Sequence, residues 1–153
     1  MNLEIERRFL INESNLILPK SKKRIKQAYL FSDSKQALRV RMIDSDYFLT
    51  YKYKKTGINR YEFEYPIPKE DGDKLMALSD GFIIVKDRYY IDIDKHTWEI
   101  DVFYAENQGL VIAEIELNDE NENINLPNWI GSEISTDEKY FNFNLSKIPF
   151  TIW

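Results

Sequence analysis

Residues 4–11 read Glu4-Ile5-Glu6-Arg7-Arg8-Phe9-Leu10-Ile11. Successive side chains of a β-strand point to opposite faces, so Glu4 and Glu6 share one face while Ile5 lies on the other. A distant stretch, Glu114-Ile115-Glu116, has the same construction. Glu62 and Glu64 share a face in the same way, as do Glu99 and Asp101. So do the cations Arg39 and Arg41, Lys52 and Lys54, and Lys86 and Arg88. The residues between them are mostly apolar or aromatic: Val40, Tyr53, Phe63, Ile100 and Ile115.

Period two dominates the rest of the chain and predicts strands over Leu3 to Ile11, Arg24 to Phe31, Ala37 to Ile43, Tyr47 to Lys54, Arg60 to Ile67, Phe82 to Asp94, Trp98 to Phe103 and Leu110 to Asn118. Turn-forming pairs separate them: Asp33-Ser34, Asp44-Ser45-Asp46, Thr56-Gly57 and Asp94-Lys95. Two helices are expected. Pro68 suits a first helical position, Leu75 and Leu78 give one apolar side, and Gly81 can end that helix. Ser135 with Glu138 reads as a capping box, predicting a second helix to about Ser146, before Pro149. The expected fold is mainly β (α+β), an eight-stranded antiparallel barrel or sandwich with short peripheral helices in one domain over 1–153.

A sheet with one solvated charged face is the simplest reading of the alternation. Such a face normally mixes signs, because like charges on neighbouring positions repel. Here carboxylate pairs and cation pairs sort onto separate strands. Converging carboxylates require a cation, and hard divalent metals such as Mg²⁺ or Mn²⁺ prefer oxygen ligands. Arg and Lys clusters suit phosphate oxygens. Inside one barrel, the two sets together read as a site for a metal–polyphosphate. The apolar faces would then point outward, under helices or against a second copy of the chain.

Composition narrows the options. The net charge of -5 argues against a general nucleic-acid binder. With Cys 0, neither thiolate ligands nor thiol nucleophiles are available. No apolar run approaches a membrane span, and the charged start lacks the apolar stretch of a signal peptide, so no membrane partner and a cytoplasmic location are expected.

The opening strand resembles the signature of the CYTH family, or triphosphate tunnel metalloenzymes, whose hallmark is an N-terminal Glu-x-Glu-x-Lys. The likeness runs along nearly the whole chain. Lys26-Gln27-Ala28-Tyr29-Leu30, Leu38-Arg39-Val40-Arg41, Phe48-Leu49-Thr50-Tyr51-Lys52 and Arg60-Tyr61-Glu62-Phe63-Glu64 resemble successive family strands. Lys86-Asp87-Arg88-Tyr89, Glu99-Ile100-Asp101-Val102-Phe103 and Ala113-Glu114-Ile115-Glu116-Leu117 follow in order, and Glu133 to Tyr140 resembles the closing segment. One Glu-x-Glu is weak; eight ordered matches are specific.

The resemblance implies an eight-stranded tunnel with its charges inside. It makes Glu4, Glu6, Glu114 and Glu116 metal ligands, with Asp101 beside them, for Mg²⁺ or Mn²⁺ in a two-metal site. It makes Arg8, Lys26, Arg39, Arg41, Lys52, Lys86, Arg88 and Lys139 the substrate-binding cations. Lys86 would lie near the scissile phosphate, with Glu62 and Glu64 as catalytic helpers. The implied activity is metal-dependent hydrolysis of inorganic triphosphate. Thiamine triphosphate, a nucleoside triphosphate, ATP for cyclase chemistry, or polyphosphate binding without turnover are the alternatives. Two departures from the family pattern are Arg8 for the hallmark lysine and Lys139 for the usual arginine. The expected partner is a small-molecule triphosphate, and the outward apolar faces leave room for a homodimer.

Other residues read as structural. His96 is expected in a solvated turn, and Trp98, Trp129 and Trp153 in packing. Lys54 and Lys55 are expected to be exposed. Lys20 to Arg24 reads as a solvated loop or a tunnel-mouth patch. Glu99 reads either as metal-proximal or as the partner of a clamp cation.

Overall fold

In a computed structural model describing residues 2–153, the opening alternation forms β1 (Leu3–Ile11). It is followed by β2 (Lys23–Ser32), β3 (Gln36–Ile43), β4 (Asp46–Lys54) and β5 (Asn59–Ile67). Helix α1 (Lys69–Leu78) leads to β6 (Asp80–Ile93), β7 (His96–Phe103), β8 (Val111–Glu116), β9 (Ile130–Glu133) and α2 (Asn142–Leu145). The sheet order is β5-β4-β3-β2-β6-β7-β8-β1, and a further β5–β1 pairing closes these strands into an antiparallel barrel. Strand β9 adds to the free part of β1. Left-handed backbone at Asp44, Gly57 and Asp94 turns three of the hairpins.

Two expectations are corrected. Strand β9 was not foreseen: Ile130-Gly131-Ser132-Glu133 carries a single apolar residue, too little for an alternation signal. The second helix is not continuous. A 3₁₀ turn at Glu138–Tyr140 and the short α2 are separated by Phe141 in extended conformation. The capping box does not form, because Ser135 Oγ accepts from the Arg8 backbone N–H at 3.0 Å and donates to Glu133 at 2.6 Å. Asp137 caps the 3₁₀ turn instead.

The core lies largely outside the barrel. Ile5, Phe9, Trp98, Ile100, Ala113 and Ile115 face outward and are covered by Leu117 and Trp129 on the β8–β9 connection. Trp98 meets Phe9 and Trp129 at ring separations of 5.8 and 5.4 Å. Helix α1 covers a second outward patch of Ala28, Val40 and Tyr47. A third cluster has a different origin. The charged β1 row of Glu4, Glu6 and Arg8 continues to Leu10, and the Glu114 row on β8 to Ile112. These apolar ends pack with Ile84, Phe103, Leu110 and Leu145, plugging one end of the barrel.

Candidate active site

The remaining interior is a cavity of about 250 Å³ walled by Glu4, Glu6, Arg8, Arg39, Arg41, Thr50, Lys52, Glu62, Lys86, Arg88, Glu99, Glu114 and Glu116. Strand parity thus brings most of the sequence-nominated residues together. Lys54, exposed as expected, and Arg60 also reach the cavity wall.

The basic wall is organised by carboxylates. Glu64 accepts from Arg41 Nη2 at 2.8 Å and from Thr50 Oγ1 at 2.7 Å, with Arg39 4.0 Å away. Asp101 is fully buried and bridges Lys86 at 2.8 Å and Arg88 at 2.7 Å. Burial would raise its carboxyl, but Arg88 and Lys86 prevail and hold it well below the usual carboxylate range. Burial pulls the Lys86 amine down to about 8 against the opposing pull of Asp101. Arg8 places Nε 3.1 Å from Glu114 and Nη1 3.0 Å from the Tyr140 carbonyl. Arg8 Nη2, Arg39 Nε and Arg41 Nε are buried and bond to nothing among the described residues. A buried donor without an acceptor costs about 1–3 kcal/mol, so these nitrogens suit an anionic guest.

The acidic wall has the complementary imbalance. Glu6 stands directly opposite Glu116 across the β1–β8 pair, and Glu99 opposite Glu114 across β7–β8. Cross-strand like charges are unfavourable. Burial, Glu114 and Glu4 push Glu6 up to about 7. Burial also lifts Glu99 to about 7, despite its ion pair with Arg88. Glu116 is raised by burial and by Glu4, Glu62 and Glu6. Glu4 and Glu62 share Lys52, at 2.9 and 3.2 Å. Among the described residues, no three ligating side chains are already drawn into a cage. The donor chemistry nevertheless fits a hard divalent cation: all-oxygen, with Glu6 and Glu116 lacking an ion-pair partner among the described residues.

Several nominated residues lie elsewhere. Lys26 is exposed on the outer face of β2, which it shares with Ala28, since Ile25, Gln27 and Tyr29 take the inward parity. Lys139 is exposed and lies 4.0 Å over the Trp153 ring. Asp101 and Glu64 do not line the cavity; they orient the cations that do. His96 is half-buried and paired with Glu122 instead of solvated. Lys22 and Arg24, half-exposed, engage the buried Asp87 on the outer face of the barrel. Wall residues not foreseen include Tyr29, Thr50, Arg60, Phe141, Asn142 and Phe143. The first three stand inside the quoted strand motifs, where parity could have found them.

The comparisons with known proteins agree with this architecture. The CYTH domain profile matches residues 2–151. An inorganic triphosphatase of Acetivibrio thermocellus is 40% identical over 151 residues, covering 98% of this chain and 97% of that protein. Among solved structures, the inorganic triphosphatase NE1496 has a TM-score of 0.66 and 28% identity, covering 94% of this chain and 93% of that one. The PH1012 protein of Pyrococcus horikoshii has a TM-score of 0.60 at 20% identity, over 77% of this chain and 80% of that one, and shares the fold. The charged tunnel and a family match along almost its whole length place this chain in the CYTH domain family.

Proposed function

We propose that this chain is a metal-dependent hydrolase that cleaves a phosphoanhydride bond of inorganic triphosphate. The carrying observation is the set of buried, acceptor-less guanidinium nitrogens of Arg8, Arg39 and Arg41 in one cavity with the unpaired Glu6 and Glu116. At about 250 Å³ the cavity is below the roughly 300–1,000 Å³ of drug-sized ligand pockets, which favours a compact anion over a nucleotide. The A. thermocellus and NE1496 relatives named as inorganic triphosphatases support the same substrate.

Glu4, Glu6 and Glu116, with Glu114 at their edge, are the residues proposed to hold Mg²⁺ or Mn²⁺. The bound cation would neutralise phosphate charge and supply an activated water. Arg8, Arg39, Arg41, Lys52 and Arg88 grip the phosphate oxygens and stabilise the charge spread over them in the transition state. Lys86, near 8, is charged enough at neutral pH to bind phosphate and acidic enough to give a proton to the departing oxygen. Glu62 lies on the wall and can take a proton from the attacking water; Glu64 and Asp101 position the arginines and Lys86. Lys26 and Lys139, facing away, take no direct part. The whole of 1–153 acts as one tunnel domain in the cytoplasm. The uncovered outer aromatics Tyr53, Tyr61 and Tyr65 favour a homodimer.

Phosphate release from inorganic triphosphate, pyrophosphate, ATP and thiamine triphosphate tests this, each with Mg²⁺, with Mn²⁺ and with chelator. Metal-dependent release dominated by inorganic triphosphate is expected. Release from none of them, in protein that triphosphate nevertheless stabilises against heat, would replace hydrolysis with binding alone.

A further inference from the structure

One side of the cavity is not made by the barrel. Strand β1 pairs with β5 only at Leu3, Glu4 and Ile5, and its far half turns to β9. The segment after β9 fills the seam that this short closure leaves, bringing Phe141, Asn142 and Phe143 to the cavity wall. Phe141 stands between two tunnel cations, its ring 4.7 Å from Arg60 and 6.0 Å from Arg8. Phe143 backs it at 5.7 Å and meets Tyr29 edge-on at 6.3 Å.

This aromatic rib is fastened on several sides. The Tyr140 carbonyl accepts from Arg8 Nη1 at 3.0 Å, and Asn142 Oδ1 accepts from Lys86 Nζ at 3.4 Å. Leu145 is fully buried in the apolar plug. The Ser146 carbonyl accepts from the Phe82 backbone N–H at 2.7 Å. A phosphate chain gains no hydrogen bond from either phenyl ring. What the rings do is occupy space beside Arg8 and Arg60, at the edge of a wall otherwise built for anions. A substituent on a terminal phosphate that extended past those cations would meet the rib.

We infer that Phe141, backed by Phe143, is a specificity-determining residue that keeps nucleoside-bearing triphosphates out and admits the unsubstituted chain. This rests on the triphosphatase reading above and adds a residue that enforces it by bulk. Apolar bulk in a pocket discriminates by roughly 10–200-fold per methylene-sized difference.

The test is the ratio of kcat/KM for ATP to kcat/KM for inorganic triphosphate, in the wild type, Phe141→Ala and Phe141→Leu. Phe141→Ala is expected to raise the ratio by at least about tenfold. Phe141→Leu, which keeps much of the bulk but loses the cation–π contacts, should stay within about threefold of the wild type. Should truncation to alanine prevent folding, Phe141→Val carries the same expectation in the same direction. An unchanged ratio in the truncated variant overturns the assignment, as does a rise in Phe141→Leu equal to that in Phe141→Ala, which would point to the cation contacts. In these outcomes the wild type still cleaves triphosphate, so the hydrolase reading stands. A wild type that releases phosphate from neither compound fails that reading instead.

Discussion

The Lys86 ammonium is almost completely buried between Asp101 and the cavity, and burial pulls it from 10.5 to about 8. Between those values the unfolded chain binds the proton that the folded chain has released. Stability contributed by this group therefore rises with pH across that window and is lost below it. Denaturant midpoints of the wild type and Lys86→Met, compared from pH 7.5 to 10, should show the wild type gaining on the variant. A constant difference would mean that Lys86 is not desolvated. The wall of the candidate site was legible residue by residue wherever strand parity was unambiguous: Glu4, Glu6, Arg39, Arg41, Lys52, Glu114 and Glu116 all reach it. Lys26 was not, because the motif that contains it does not state which parity of β2 faces inward, and Gln27 and Tyr29 take that side. Lys139 lies on a 3₁₀ turn, where period two says nothing. Asp101 shows a subtler limit: its face was right, but two cations consume it.

Among the elements, α1 is the one whose sequence and packing conflict. Gly72 lies within it, where alanine would favour the helix by about 1 kcal/mol. A Cβ there would stand 2.1 Å from Tyr47 Cδ1, and Tyr47 is buried beside Val40 and Ala28. Overpacking of this kind costs roughly 1–3 kcal/mol and outweighs the propensity gain. Gly72→Ala should therefore lower the thermal midpoint, and an unchanged or raised midpoint would show that α1 shifts freely. The C-terminal segment was the least legible element. Its local signal, Ser135 with Glu138, is a sound helix start, yet β1 claims the serine hydroxyl through Arg8. Long-range pairing thus overrides a cap, and no local pattern announces it.

At the scale of the molecule, the barrel inverts the usual arrangement, with charges within and apolar side chains outside. Alternation alone reads most simply as a solvated charged face; the sorting of like charges by strand argues against that, and the family resemblance supplies the inversion. What covers the outside was readable only in part: the helix after Pro68 was expected, and its Leu75 packs on the outer face while Leu78 stays exposed, whereas the β8–β9 connection carries no periodic signal. Tyr65 remains 62% exposed, with Tyr53 and Tyr61 half-covered beside it. Sedimentation at micromolar concentration should show a dimer that Tyr65→Lys weakens; a monomer in the wild type would assign those aromatics to no partner.

The most direct test of the tunnel as a hydrolytic site compares phosphate release from inorganic triphosphate with Mg²⁺ by the wild type, Glu4→Gln, Glu116→Gln and His96→Ala. The two carboxylate variants should each lose at least about a hundredfold in kcat, the order seen when one transition-state charge contact is removed. His96→Ala, which removes a partner of Glu122 and no group lining the tunnel cavity, should stay within a few-fold of the wild type. Equal and mild losses in all three would contradict the account.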